Sequence, residues 1–199
     1  LDQLTTALQK LSDQYRVLAI SHRRLHAYHN LYFDTPNFEL FNQHHRGQRD
    51  RFKVRCRKYV DSDLNFFEIK RKNNCNRTIK SRLKTADFIE VLDGTPNDFL
   101  SQHYPLSPQA LSPVLWNDFH RITLVSNLAV ERLTIDINLG FSDGWNQIGL
   151  PGVAVAEVKQ DGFSIHSDFM AQRRAFAITP QRFSKYCLGI SIFYPRVKA

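Results

Sequence analysis

Apolar and polar residues alternate with a period of two along much of this chain. Across residues 51–59, Phe52, Val54 and Cys56 separate Arg51, Lys53, Arg55 and Arg57. Glu68, Lys70 and Lys72 share one parity in residues 65–72, as do Lys80 and Arg82 in residues 77–84. Successive side chains on a strand point to opposite faces, so each segment predicts a strand with one charged and one apolar side. His26, Tyr28, Asn30 and Tyr32 alternate in the same way with Leu25, Ala27, Leu31 and Phe33. Arg121 and Thr123 alternate with Ile122 and Leu124, and Arg132, Thr134, Asp136 and Asn138 with Leu133, Ile135, Ile137 and Leu139. Glu157 and Lys159 flank Val158. Seven such strands are expected.

Helical spacing marks other stretches. Leu4, Leu8 and Leu11 form one stripe in residues 2–14. Thr35-Pro36 has the form of a cap followed by proline at the first helical position, predicting a short helix through Phe41. Residues 86–93 and 96–103 predict two short helices, followed by a loop carrying Pro105, Pro108 and Pro113. Residues 164–177 predict a longer helix, and residues 183–193 a helical or mixed segment. No linker or repeat divides the chain, so residues 1–199 are expected to form a single α+β domain. A sheet with one polar face can leave it in water or close into an antiparallel barrel around a polar lumen.

Composition narrows the function classes. The 199 residues are 42% hydrophobic, enough for a real core. No apolar run approaches the roughly 18 residues that a membrane span needs. The three cysteines, Cys56, Cys75 and Cys187, lack metal-ligand spacing and suit a reducing, cytoplasmic setting. The formal net charge is +8. Much of it lies at alternating strand positions, which favours a shaped anion site over a diffuse basic arm. Single-strand nucleic-acid platforms interleave aromatic residues with cations on one face. The basic faces of residues 51–57 and 78–82 carry none, so no nucleic acid is expected. Phosphate-cradling glycine motifs and a nucleophile elbow are also absent. His44 and His45 are adjacent and poorly placed for chelation on a helix, and are expected as solvated helix-end residues.

The order of several short motifs carries a resemblance. Tyr32-Phe33-Asp34-Thr35 is followed by Lys53-Val54-Arg55-Cys56-Arg57-Lys58-Tyr59, Glu68-Ile69-Lys70 and Arg77-Thr78-Ile79-Lys80-Ser81-Arg82. Asn117-Asp118-Phe119-His120-Arg121, Glu131-Arg132-Leu133-Thr134-Ile135-Asp136, Ala156-Glu157-Val158-Lys159 and Arg182-Phe183-Ser184-Lys185-Tyr186 continue the series. Together they resemble the VTC domain, the polyphosphate polymerase domain named for the vacuolar transporter chaperone complex. That domain belongs to the triphosphate tunnel metalloenzyme, or CYTH-like, superfamily. The resemblance implies an eight-stranded antiparallel barrel, a tunnel with a basic lumen and helices packed outside. Its first strand would precede Asp2 and is expected to be missing from this chain.

The resemblance implies binding of ATP, triphosphate or polyphosphate and metal-dependent phosphoryl transfer. Hydrolysis of such chains, or their sensing without catalysis, are the alternatives. A membrane-embedded partner subunit fits the same picture. Phosphoryl transfer needs charge neutralisation and alignment, which planar guanidiniums and ammonium groups supply. Arg55, Arg57, Lys70, Lys80, Arg121, Arg132 and Lys185 are the expected catalytic cations, with Lys53, Lys72, Arg82 and Lys159 holding the chain. Mn²⁺ or Mg²⁺ would be ligated by Glu157 first, with Glu68 and Asp136 next. Glu68 and Asp136 have a competing role as ion-pair partners of neighbouring bases. Lys185 could instead lie along the surface beside aromatic neighbours. Tyr32 and Asp34 are expected to be structural. Lys58 and Arg71 have the opposite parity and should face away from any ligand.

Overall fold

A computed structural model describes residues 2–75, 77–105, 111–162 and 166–198. Nine strands form one sheet: β1 (Tyr15–Val17), β2 (His26–Asp34), β3 (Arg51–Tyr59), β4 (Leu64–Lys72), β5 (Thr78–Thr85), β6 (Ser112–Ser126), β7 (Glu131–Ser142), β8 (Gln147–Leu150) and β9 (Val155–Gln160). The hydrogen-bonded order is β5-β4-β3-β2-β6-β7-β8, with β1 on β6 and β9 on β7. The registered pairs β2·β3, β3·β4, β4·β5, β1·β6 and β7·β9 are antiparallel. Five α-helices accompany the sheet among the described residues: α1 (Asp2–Leu11), α2 (Glu39–His45), α3 (Gly94–His103), α4 (Asp168–Ala175) and α5 (Lys185–Phe193). The expected α+β class and antiparallel sheet are therefore present.

The chain separates into two compact units. The first comprises residues 1–27, 119–139 and 149–182, and the second residues 28–118, 140–148 and 183–199. In the first, the predicted stripe of Leu4, Leu8 and Leu11 packs with Leu124, Leu133 and Ile135, the apolar parity of β6 and β7. Buried Tyr15 joins this cluster and donates to Glu131, itself buried.

In the second unit Leu31, Phe33, Phe52, Val54, Cys56, Phe67 and Ile69 form the core beneath β2, β3 and β4. These are the apolar positions of the alternating pattern. Leu100 and Phe99 of α3 cover them, so the helix lies on the apolar side of the strands. Cys56 is fully buried and its thiol is pushed up to about 11, chiefly by burial, as suits an inert core residue.

Helix α5 approaches buried side chains of β6 and β7 closely at Gly189. A Cβ there would lie 2.5 Å from Leu115 Cδ2 and 2.9 Å from Phe141 Cδ1, both on buried side chains. Alanine favours a helix by about 1 kcal/mol over glycine, but overpacking costs roughly 1–3 kcal/mol. Gly189→Ala should therefore lower stability by up to about 2 kcal/mol, read as a lower midpoint of urea unfolding.

Several local expectations need correction. Residues 86–93 are not helical; Phe88, Ile89 and Leu92 pack on the core, and the Ile89 amide donates to Cys56 Sγ at 3.2 Å. Tertiary contacts have overridden local spacing. Pro113 lies near the start of β6, where a proline is tolerated, rather than in a loop. Pro108 and the expected helix start at Ser164 fall outside the described residues. Helix α2 begins later than expected. Phe38 precedes it at φ 54°, and the acceptors for its first amides are Thr35 Oγ1, for Glu39 at 3.0 Å, and Asp34, for Leu40 and Phe41 at 2.8 and 2.9 Å. His44 is half-buried, its Nε2 3.0 Å from the Phe52 carbonyl. Burial first, then Lys53, Arg51 and Lys70, lower its pKa to about 3, so it is a neutral structural imidazole and not a solvated one.

Candidate functional site

The strand register decides which side chains share a face. Tyr32 lies opposite Arg55, Arg55 opposite Glu68, and Glu68 opposite Arg82. Lys53, Lys70 and Lys80 form the next row, and Arg51, Lys72 and Thr78 another. Asn30, Arg57, Phe66 and Lys84 complete the face. Directly opposed residues point the same way. One face of β3, β4 and β5 thus carries nine cations (Arg51, Lys53, Arg55, Arg57, Lys70, Lys72, Lys80, Arg82 and Lys84) and one carboxylate, Glu68.

Glu68 is the hub of that face. It is 2% exposed. Its Oε2 accepts from Arg55 Nε at 2.8 Å and Nη2 at 2.6 Å. Its Oε1 lies 2.6 Å from Lys80 Nζ and 3.2 Å from Arg82 Nη2. Burial opposes ionisation, but Arg55, Arg57 and Lys80 outweigh it and bring the carboxyl down to about 2. Both oxygens are engaged by cations.

Arg57 is held differently. It is 8% exposed, and its Nε donates to Asn30 Oδ1 at 2.8 Å. Asn30 is itself oriented by donating to the Asn117 carbonyl at 2.9 Å. The guanidinium also lies 5.2 Å from the centre of the Tyr28 ring. Among the described residues no carboxylate pairs with Arg57. Lys53 likewise has a neutral partner, donating to Ser184 Oγ at 2.9 Å. Ser184 caps α5, so Lys53 reaches the start of the helix whose first residue is Lys185. Burying a charge without a bonded counter-charge is costly, so Arg57 is a candidate contact for an anion.

The opposite face behaves as predicted. Lys58 pairs with Asp63 at 2.6 Å, and Arg71 forks onto Asp50 at 2.7 and 2.9 Å. Each outward cation has its own acid.

The remaining predicted residues lie in the first unit. Arg121 grips Asp136 through two bonds of 2.6 and 2.8 Å, with Asp136 buried. Arg132 lies opposite Lys159 in the β7·β9 register, and Thr134 opposite Glu157. Glu157 is exposed, 3.6 Å from Lys159 Nζ. No three His, Cys, Asp or Glu side chains converge on a common point among the described residues. The residues that sequence reasoning missed are Asn30 and Ser184, which orient Arg57 and Lys53. Asn30 was legible as a polar residue of the same parity as Tyr32. Ser184 had no such signal, because it reaches Lys53 across 131 positions of sequence.

An antiparallel, two-sided sheet bearing a dense row of cations, backed by helices, is the architecture of the triphosphate-tunnel superfamily. A candidate adenylate cyclase from Bacillus halodurans is 16% identical, covers 97% of this chain and 91% of its own, and superposes with a TM-score of 0.56. A candidate adenylyl cyclase from Hippeastrum, described as having a dominant triphosphatase activity, is 11% identical over 96% of this chain and 90% of its own, with a TM-score of 0.57. No curated protein matches the sequence. The sequence profile of the VTC domain matches residues 1–194, and the chain belongs to that family.

Proposed function

We propose that this VTC domain binds a linear chain of phosphates, as ATP, triphosphate or polyphosphate, and transfers phosphoryl groups with a divalent cation. The observation that carries the reading is Arg57, buried and hydrogen-bonded to a neutral group only, on the face where half-buried Lys53 also has a neutral partner. A phosphate chain is the polyanion that satisfies several fixed cations in a row. Arg55 and Arg57 offer planar forks to non-bridging oxygens, and Lys53, Lys70, Lys72, Lys80, Arg82 and Lys185 add point charges. Arg121, Arg132 and Lys159 are proposed as further ligands.

Mn²⁺ or Mg²⁺ keeps several waters and needs only one or two protein carboxylates beside phosphate oxygens. Glu157 is proposed to supply that carboxylate, because Glu68 and Asp136 are engaged by arginines and lysine. When bound, the ion would neutralise charge developing on phosphate oxygens. The chain's own residues do the rest: they align the phosphates and hold positive charge where the leaving group departs.

Sodium tripolyphosphate should bind more tightly than orthophosphate, with affinity falling as salt is added. Arg57→Ala should weaken tripolyphosphate binding by about 1–3 kcal/mol in calorimetry, and Lys58→Ala should leave it unchanged. Equal effects at both positions would mean a diffuse basic surface. Incubation with ATP and Mn²⁺, followed by separation of products, assigns the reaction. Long chains mean polymerisation, while orthophosphate means the hydrolysis for which the Hippeastrum protein is described. Binding without turnover means a sensor.

A further inference from the structure

The basic face includes a neutral hydroxyl that the alternation pattern treated as structural. Tyr32 lies opposite Arg55 in the β2·β3 register and is 5% exposed. Its ring stacks on Tyr186 with centroids 5.0 Å apart and planes 29° from parallel, which fixes the direction of its Oη. Tyr186 gives its own proton to Asp34, and Tyr15 gives its proton to Glu131. Tyr32 differs. Its Oη accepts from Arg55 Nη1 at 3.5 Å, and among the described residues its proton has no acceptor.

The charged groups around Tyr32 explain why. Arg55, Lys53 and Arg57 of β3 face it, all as cations. On its own strand, Asp34 is consumed by the Tyr186 hydroxyl and the amides of Thr35, Leu40 and Phe41. On β4, Glu68 is consumed by Arg55, Lys80 and Arg82. From α5 come Tyr186 and the Cys187 thiol, near Lys53. A buried hydroxyl donor surrounded by donors lacks a partner until an anion arrives.

We propose that Tyr32 is a phosphate ligand, donating its Oη–H to a non-bridging oxygen of the chain gripped by Arg55, and that this contact couples anion binding to a proton on the phenol. The proposal rests on the reading of the basic face as a phosphate-chain site. Burial raises the phenol's pKa, but the positive charges of Arg55, Lys53 and Arg57 outweigh it and hold the pKa below its ordinary value. A bound anion cancels that field and restores the protonated donor. The sign follows: with the pKa lower in the free protein than in the complex, affinity is fully present below the free value. It declines as pH rises through it, and binding in that window takes up a proton.

The test uses the full chain, sodium tripolyphosphate and Tyr32→Phe, which keeps the ring stack. Calorimetry at neutral pH should show about a 10- to 150-fold loss of affinity in the variant, the range for a bond to a charged acceptor. Titrating tyrosinate absorbance of the unmodified protein should show the lowest step rising when tripolyphosphate is added, and that step should be missing from Tyr32→Phe. The alkaline decline in affinity should flatten with it. Unchanged affinity and an unchanged pH profile in Tyr32→Phe would overturn the assignment while leaving the basic face intact as a site. A lowest tyrosinate step that ignores tripolyphosphate, in protein that binds it, would do the same without recourse to the variant. Failure of the unmodified chain to bind tripolyphosphate at all would remove both readings.

Discussion

Asp34→Ala is expected to cost about 3–5 kcal/mol of stability, the largest single loss in the second unit. Asp34 is 0% exposed. Its Oδ1 accepts from the Thr35 and Leu40 amides at 2.7 and 2.8 Å, and its Oδ2 from the Phe41 amide at 2.9 Å and from the Tyr186 hydroxyl. One carboxylate therefore ends β2, caps α2 and ties down α5. Alanine leaves four buried donors unpaired, each worth roughly 1–3 kcal/mol if no water reaches it. The total is capped by local relaxation. Asp34→Asn keeps one acceptor and adds a donor that points at other donors, so it should recover less than half of the loss. The midpoint of urea unfolding at neutral pH measures both. A loss below about 1 kcal/mol for alanine would show that the amides find other acceptors.

Glu68→Gln is expected to remove a pH-dependent share of stability. The carboxyl titrates near 2 in the folded protein against 4.5 for an unperturbed glutamate. A depressed folded value means that the contribution is present above 4.5 and is lost as pH falls from 4.5 to about 2. The difference is of the order of 3 kcal/mol. Asp34 works in the opposite sense, since burial raises its carboxyl despite four donors. The informative quantity is therefore the stability of the unmodified chain minus that of Glu68→Gln, measured across the acid limb. That difference should be largest at neutral pH and shrink towards zero near pH 2. A constant difference would mean that Glu68 acts through packing and not through charge.

How much of this was readable beforehand depended on the range of the interaction. Period-two alternation depends on neighbours along the chain, and it placed β3, β4 and β5 with both faces correctly assigned, down to the outward Lys58 and Arg71. Short or mixed strands carry too few periods to register, so β1 and β8 went unforeseen, as did the first half of β6. Residues 86–93 have helix-like spacing, but Phe88 and Ile89 are drawn onto the core in irregular backbone. Thr35-Pro36 read as a cap, whereas the buried acceptor that matters is one residue earlier. The cationic candidates were visible as residues of one parity. The grip on Glu68, shared by Arg55, Lys80 and Arg82, comes from the β3·β4·β5 register, which no single segment encodes.

The two faces of β3, β4 and β5 divide their labour. On the apolar side, packing and matched pairs such as Lys58–Asp63 hold the strands in register. On the other, nine like charges against one acid push the strands apart. Apart from the Glu68 grip, cohesion is therefore supplied from one side of a single layer of backbone. The cation side is left open to revision: a lysine can be shortened, an arginine moved by two positions or an acid introduced, while the scaffold beneath is undisturbed. Such a sheet can change what it carries without relearning how to fold.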